Sequence, residues 1–320
     1  MRGMFSSLHR PALIGLVVLA VIILGIVVKL LLFQPSQPSS PAAAEGYKLQ
    51  TVTYCSPDNI PQLMDIYTPA DASSNASMPL VEMVHGGGWT SGSKADINRI
   101  SPAPEVPSAM LGLLADGFVV TSIDYRLAPQ YKFPDNIEDV KCSIRYLRAH
   151  ATQYHIDVNH IGLMGSSAGG HLVSLAGLAG PSAGWDIGEY TDQSSAVQAV
   201  VDMFGPEYIG SGIGDPAIDD PTIFGSSSNA FLLASPPRYI ANTPNTNPPF
   251  LILQGDHDGT VPPIHSLRFY NALLEAGQTA ILQMVQNAGH GFTPMGGAMN
   301  PSAGQISTIT VNFFKQYLAG

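Results

Sequence analysis

Between residues 80 and 285 the chain keeps returning to short, mostly apolar runs: 80–84, 118–123, 161–164, 197–203, 250–253 and 281–285. Gly, Pro or Asp flanks them, and a few carry one or two polar residues, such as Glu82, Gln198 and Asp202. Runs of this length read as strands buried largely on both faces, as in a parallel sheet. Helical patterns fill the gaps. Ile137, Val140, Ile144 and Leu147 share one face behind Pro134-Asp135, a good helix start. Leu267, Tyr270, Leu273 and Leu274 mark a second helix, stopped by Gly277 as a C-cap. Ile306, Ile309, Phe313, Phe314 and Tyr317 mark a last one. Ahead of these, KLQTVTYC (48–55) and QLMDIYTP (62–69) read as a hairpin across Ser56-Pro57-Asp58-Asn59. The sum is an α/β domain with a mostly parallel central sheet, an antiparallel start and helices on both faces. Chemistry in such a sheet belongs at the carboxyl ends of the strands.

A different pattern opens the chain. Residues 12–33 read ALIGLVVLAVIILGIVVKLLLF, broken only by Lys29 and preceded by Arg2 and Arg10. A helix rising about 1.5 Å per residue would here be roughly 33 Å long, enough to cross a hydrocarbon core of about 30 Å. The leading arginines predict a cytoplasmic N-terminus and an exported remainder. A Pro/Ser/Ala linker fills 34–46. The alternative is a cleaved leader, with Ala42-Ala43-Ala44 as an A-x-A-like site; both readings place the bulk of the chain outside the cytoplasm. In an exported chain Cys55 and Cys142 either pair or stay as two buried thiols. Asn75-Ala76-Ser77 is a glycosylation acceptor only in a eukaryotic secretory pathway. A net charge of −10, with no basic run beyond the first few residues, argues against a nucleic-acid partner. Nothing in the sequence specifies an oligomeric state.

Four strand ends carry reactive residue types. After run 161–164, Gly165-x-Ser167-x-Gly169 fits a nucleophile elbow, a tight strand-to-helix turn that exposes a serine. A Cβ at either glycine would collide across the turn. The frame selects Ser167 over Ser166, whose corresponding positions are Met164 and Ala168. After run 80–84, His85-Gly86-Gly87-Gly88-Trp89 offers bare backbone N–H groups to a developing oxyanion, together with the N–H of Ala168. After run 250–253, Asp256 and Asp258 compete as the carboxylate that would orient a histidine. His257 between them lacks the further ligands a zinc site needs, so no metal is expected. After run 281–285, His290 lies between Gly289 and Gly291 and suits a general base. His85 reads as part of the oxyanion loop, His150, His155, His160 and His171 as surface or packing residues, and His265 as structural. The order serine, acid, histidine is that of α/β-hydrolases.

Three motifs, His85-Gly86-Gly87-Gly88-Trp89, Asp124-Tyr125-Arg126-Leu127-Ala128-Pro129 and Gly165-Ser166-Ser167-Ala168-Gly169-Gly170-His171, resemble the hormone-sensitive-lipase-like α/β-hydrolases. Within these the chain is most similar to the bifunctional feruloyl and acetyl-xylan esterases, a likeness running from about Tyr47 to the C-terminus. The resemblance implies a serine ester hydrolase acting on short acyl or aryl esters, acylated carbohydrates among them, without a cofactor. It implies a triad of Ser167, Asp258 and His290; Asp258 is chosen because it lies three residues before Val261-Pro262. It implies an oxyanion hole on Gly87, Gly88 and Ala168, with Gly86 as a further candidate. The expected organisation is a signal anchor over 1–33, a linker over 34–46 and a catalytic domain over 47–320. Gln254 departs from the pattern, in which relatives usually carry His, and predicts different local packing. With little room for an N-terminal cap, the insertion 207–239 is expected to roof the pocket. An amidase of arylformamidase type, a peptidase, or a non-catalytic binding domain are the alternatives on the same fold.

Overall fold

The computed structural model describes residues 46–73, 76–98 and 105–319. The expected membrane helix over 12–33, the linker up to residue 45 and the acceptor Asn75 lie outside the described residues. Among the described residues no helix is long and apolar enough to cross a membrane.

Eight strands form one sheet in the order β1-β2-β4-β3-β5-β6-β7-β8. They are β1 Tyr47–Cys55, β2 Gln62–Pro69, β3 Met78–Val84, β4 Val119–Ile123, β5 Ile156–Ser166, β6 Ala199–Met203, β7 Phe250–Gly255 and β8 Ala280–Val285. The hairpin β1–β2 and the pair β2–β4 are antiparallel; every pairing from β4 through β8 is parallel. The carboxyl ends of β3, β5, β6, β7 and β8 therefore line up along one edge. Strands β4, β6 and β7 are buried at every position, as runs covered on both faces must be. Strand β8 departs from that expectation, with only Val285 buried. It is the last strand of the sheet, and among the described residues its far side has no neighbouring strand.

The long helices are α1 Glu105–Ala115, α2 Asp135–Ala149, α3 Ala168–Leu178, α4 Ile264–Glu275 and α5 Ala303–Leu318. Helices α1 and α5 pack together on one face of the sheet, while α2, α3 and α4 cover the other. In α2, Ile137, Val140, Ile144 and Leu147 are all fully buried. Each such side chain stabilises the fold by about 1.5–3 kcal/mol. In α4 the predicted face is only partly correct: Leu273 is buried, but Leu267 and Leu274 are exposed. The inward face is set instead by His265, Ser266 and Phe269, because the Phe269 ring packs edge-on against Phe250 of β7. Gly277 adopts the left-handed conformation (φ +71) and ends this helix as expected.

Cys55 at the end of β1 and Cys142 on α2 form a disulfide across 87 residues of sequence, which decides between the two readings of the cysteines. The same flank holds a buried charge cluster. Arg126 bonds Asp139 through Nε (2.9 Å) and lies within 3.5 Å of Asp58, Asp135 and Glu138.

Candidate active site

The elbow forms where β5 meets α3. Ser167 takes a positive φ (54°, ψ −120°), which costs a non-glycine residue about 1–3 kcal/mol. Close packing holds it there. A Cβ on Gly165 would lie 2.3 Å from the Gly169 carbonyl oxygen, and one on Gly169 only 2.1 Å from that of Val84. The Ser167 N–H donates to Met203 O at the end of β6 (2.8 Å). Ser166 is the last residue of β5 and pairs with Met203, so it belongs to the sheet, not to the turn's apex.

The three predicted residues converge from different strand ends. Ser167 Oγ donates to His290 Nε2 (3.0 Å), and His290 Nδ1–H donates to Asp258 Oδ2 (2.8 Å). Asp258 has a fully buried side chain; His290 retains 22% exposure. The other oxygen of Asp258 accepts the N–H groups of Thr260 (2.9 Å) and Val261 (2.8 Å). Asp256, the rival acid, turns away to His257 (2.6 Å) and the Ala288 N–H.

The glycine loop is oriented by its carbonyls. His85 Nδ1–H donates to Gly86 O (2.7 Å), and burial lowers the affinity of this imidazole for a second proton. Gly87 O accepts the N–H groups of Thr90 and Ser91 and the Ser91 hydroxyl. Because a trans peptide points its N–H opposite its C=O, the N–H groups of Gly87 and Gly88 face the other way. Among the described residues, the N–H groups of Gly87, Gly88 and Ala168 have no acceptor within the chain. All three predicted donors are thus left for a ligand.

Gly87 and Gly88 border a cavity of about 620 Å³, walled by Ile97, Phe204, Ile218 and Val261 around Ser167 and His290. The insertion 207–239 contributes Asp215 and Ile218, so the predicted roof is partial. The stretch after the glycine loop also borders the cavity, through Ser91, Gly92, Asp96 and Ile97. The insertion is tied at its base, where the Ser235 hydroxyl meets both the N–H and the C=O of Ile209. His265 is structural, as expected: it accepts the Tyr208 N–H and donates to Ile213 O. Among the described residues no group of three or more His, Cys, Asp or Glu is placed to hold a metal ion.

Two positions matter more than the sequence suggested. Gln254 is not merely repacked. Its Nε2 donates to Asp258 Oδ2 (3.3 Å), Gly255 O and Val261 O, while its Oε1 accepts from Ser266. His171, read as a surface or packing residue, is fully buried. Its Nδ1 accepts from Trp89 Nε1 (3.2 Å), and its Nε2–H donates to Ala234 O (2.7 Å). It thereby joins the glycine loop, the elbow helix and the insertion. Only the departure from the usual His signalled Gln254, and nothing local signalled His171.

Known proteins resemble this chain in sequence and in fold. Esterase LipC of Mycobacterium tuberculosis is 32% identical over 271 residues, covering 78% of this chain and 62% of LipC. Esterase LipQ of the same organism is 28% identical, covering 80% of this chain and 60% of its own length. The chain thus spans about three fifths of these relatives. Among solved structures, Thermogutta terrifontis esterase 2 phosphonylated by sarin superposes with a TM-score of 0.70 at 25% identity, covering 90% of this chain and 99% of that one. A truncated carbohydrate esterase from gut microbiota gives 0.67 at 26% identity, covering 86% and 98%. The fold is that of the α/β-hydrolases. The family model BD-FAE matches residues 64–273, well over half of the sequence and from β2 through most of α4, and the chain belongs to the BD-FAE family.

Proposed function

We propose that this chain is a serine carboxylic-ester hydrolase acting on short-chain acyl or aryl esters. The observation that carries the reading is the continuous Ser167–His290–Asp258 hydrogen-bonded chain, set beside three backbone N–H groups with no acceptor of their own. His290 Nε2 takes the Ser167 proton as Oγ attacks the acyl carbonyl, and Asp258 holds the imidazole and balances its charge. The N–H groups of Gly87, Gly88 and Ala168 stabilise the tetrahedral oxyanion, with Gly86 as a further candidate donor. His290 returns the proton to the leaving alcohol. It then deprotonates the water that releases the acyl group from Ser167. The chain's own groups supply every step, and no cofactor enters.

Short acyl chains are favoured by the neighbours, since Thermogutta terrifontis Est2 has been solved with propionate and with butyrate bound. Acylated carbohydrates are a second class to test, given the gut carbohydrate esterase. The expected anchor over 1–33 and linker over 34–46 would tether the domain 47–320 outside the cytoplasm, a compartment that suits the Cys55–Cys142 disulfide. Extraction of the full chain by detergent but not by salt would support the anchor.

The deciding experiment compares Ser167→Ala and Ser166→Ala on an aryl butyrate and its anilide. Ser167→Ala is expected to abolish ester hydrolysis and Ser166→Ala to retain most of it, with the anilide cut far more slowly. Equal rates for Ser167→Ala and wild type would end the proposal.

A further inference from the structure

We infer that Asp202 and Glu207 form a proton-sharing carboxyl pair that positions both Ser167 and His290; the functional half of this rests on the hydrolase reading above. Along β6, Val200 and Asp202 face α3, which approaches closely through two glycines. A Cβ on Gly177 would lie 2.7 Å from Val200, and one on Gly170 only 2.4 Å from Asp202 Oδ1. Asp202 and Glu207 are both fully buried. They crowd one point: a Cβ on Gly205 would sit 2.5 Å from Asp202 Oδ1 and 2.7 Å from Glu207 Oε1.

Asp202 Oδ1 accepts the Gly205 N–H (2.9 Å). Among the described residues, neither the second Asp202 oxygen nor either Glu207 oxygen has a well-formed hydrogen bond, and no Lys, Arg or His lies within ion-pair distance of the two. Helix α3 presents the Ser174 hydroxyl beside Glu207, and His171, whose ring is committed to Trp89 and Ala234. Helix α4 presents His265 and Arg268, which face Tyr208. Two carboxylates crowded together in a fully buried site with no cation beside them cannot both be charged. One retained proton turns the contact into a hydrogen bond. Burial pushes both groups up, and the charge of Asp202 pushes Glu207 further.

The turn that Asp202 closes touches the backbone of Ser167 and the ring of His290. Met203 O accepts the Ser167 N–H, and Phe204, held at φ 47°, packs its ring 4.9 Å from that of His290. Loss of the shared proton would drive the carboxylates apart, open this turn and tilt His290 away from Ser167. Both residues are positioning residues, since neither meets the substrate.

The test is the pH profile of kcat/KM on a short-chain ester for wild type and Glu207→Gln, whose amide donor cannot be titrated away. Wild type is expected to fall on the alkaline side by roughly tenfold per pH unit once the pair ionises. Glu207→Gln, normalised to its own value at neutral pH, should stay flat beyond it. Superimposable profiles would overturn the inference. Infrared spectroscopy of wild type with labelled carboxyl carbons supplies a readout independent of ester hydrolysis and of the variant's folding. Beyond the band of buried Glu82, whose carboxyl is pushed up to about 8, a second protonated-carboxyl band should persist at neutral pH and vanish on the alkaline side, and its absence at neutral pH would overturn the pair. Failure of the hydrolase reading would show separately, as a Ser167→Ala variant as active as wild type.

Discussion

Gly169→Ala tests whether the elbow's geometry depends on a missing side chain. The new Cβ would stand 2.1 Å from Val84 O and 2.6 Å from His85 O, whereas such contacts essentially never fall below 3.0 Å. Both obstacles are backbone at the end of β3, so no side chain can swing aside. The start of α3 must retreat by about 1 Å, taking Ser167 and the Ala168 N–H away from the Gly87–Gly88 loop. A misplacement of that size costs about 10²-fold in rate. The accompanying overpacking should cost about 1–3 kcal/mol of stability. The assay is kcat/KM on a short-chain aryl ester, paired with thermal unfolding to establish that the variant is folded. Gly180→Ala serves as the control, because Gly180 has ordinary φ (−70°) and open space around its Cβ position. A folded Gly169→Ala enzyme with wild-type kcat/KM would refute the reasoning.

Gln254→Leu leaves Gly255 O, Val261 O and the Ser266 hydroxyl without their partner, and should destabilise the fold by about 1–3 kcal/mol in urea unfolding; an unchanged midpoint would contradict it. Reduction of Cys55–Cys142 releases a constraint spanning 87 residues and should lower unfolding free energy by about 2–5 kcal/mol, which Cys55→Ser with Cys142→Ser should reproduce. Burial lowers the His171 pKa to about 4, so the folded chain refuses a proton that the unfolded chain accepts near pH 6.5. Its contribution is therefore complete above about pH 6.5 and fades as pH falls through 4, worth about 3 kcal/mol across that window. His171→Gln should flatten this part of the stability profile, and an unaltered slope would count against the assignment.

The sheet was readable because buried parallel strands leave short, mostly apolar runs, and β3, β4, β6 and β7 coincide with them closely. The start of β5 was not, since Asp157, Asn159 and His160 are polar and form part of the strand's exposed first half. The inward face of α4 was misread for a related reason: His265 and Ser266 are buried through specific partners, which a hydrophobic pattern cannot register. In the site, local spacing pointed to Ser167 and His290 and narrowed the acid to Asp256 or Asp258, and the family resemblance made the choice of Asp258. His171 acts through Trp89 and Ala234, 82 and 63 residues away, and Gln254 through a side-chain amide that bonds across the turn from Gly255 to Val261, contacts that carry no spacing motif and exist only once the chain is folded.

The Trp89–His171–Ala234 relay and the Ile209–Ser235 clasp fasten the end of the insertion to the glycine loop and its two ends to each other. Its middle is anchored as well, because Phe224 packs edge-on against both Trp89 and His171, and Ile223 O accepts the Phe133 N–H. A change of pocket wall in this segment is therefore felt by the loop that carries Gly87 and Gly88 unless it spares Phe224. The same side chains that shape the pocket also brace the chemistry beneath it.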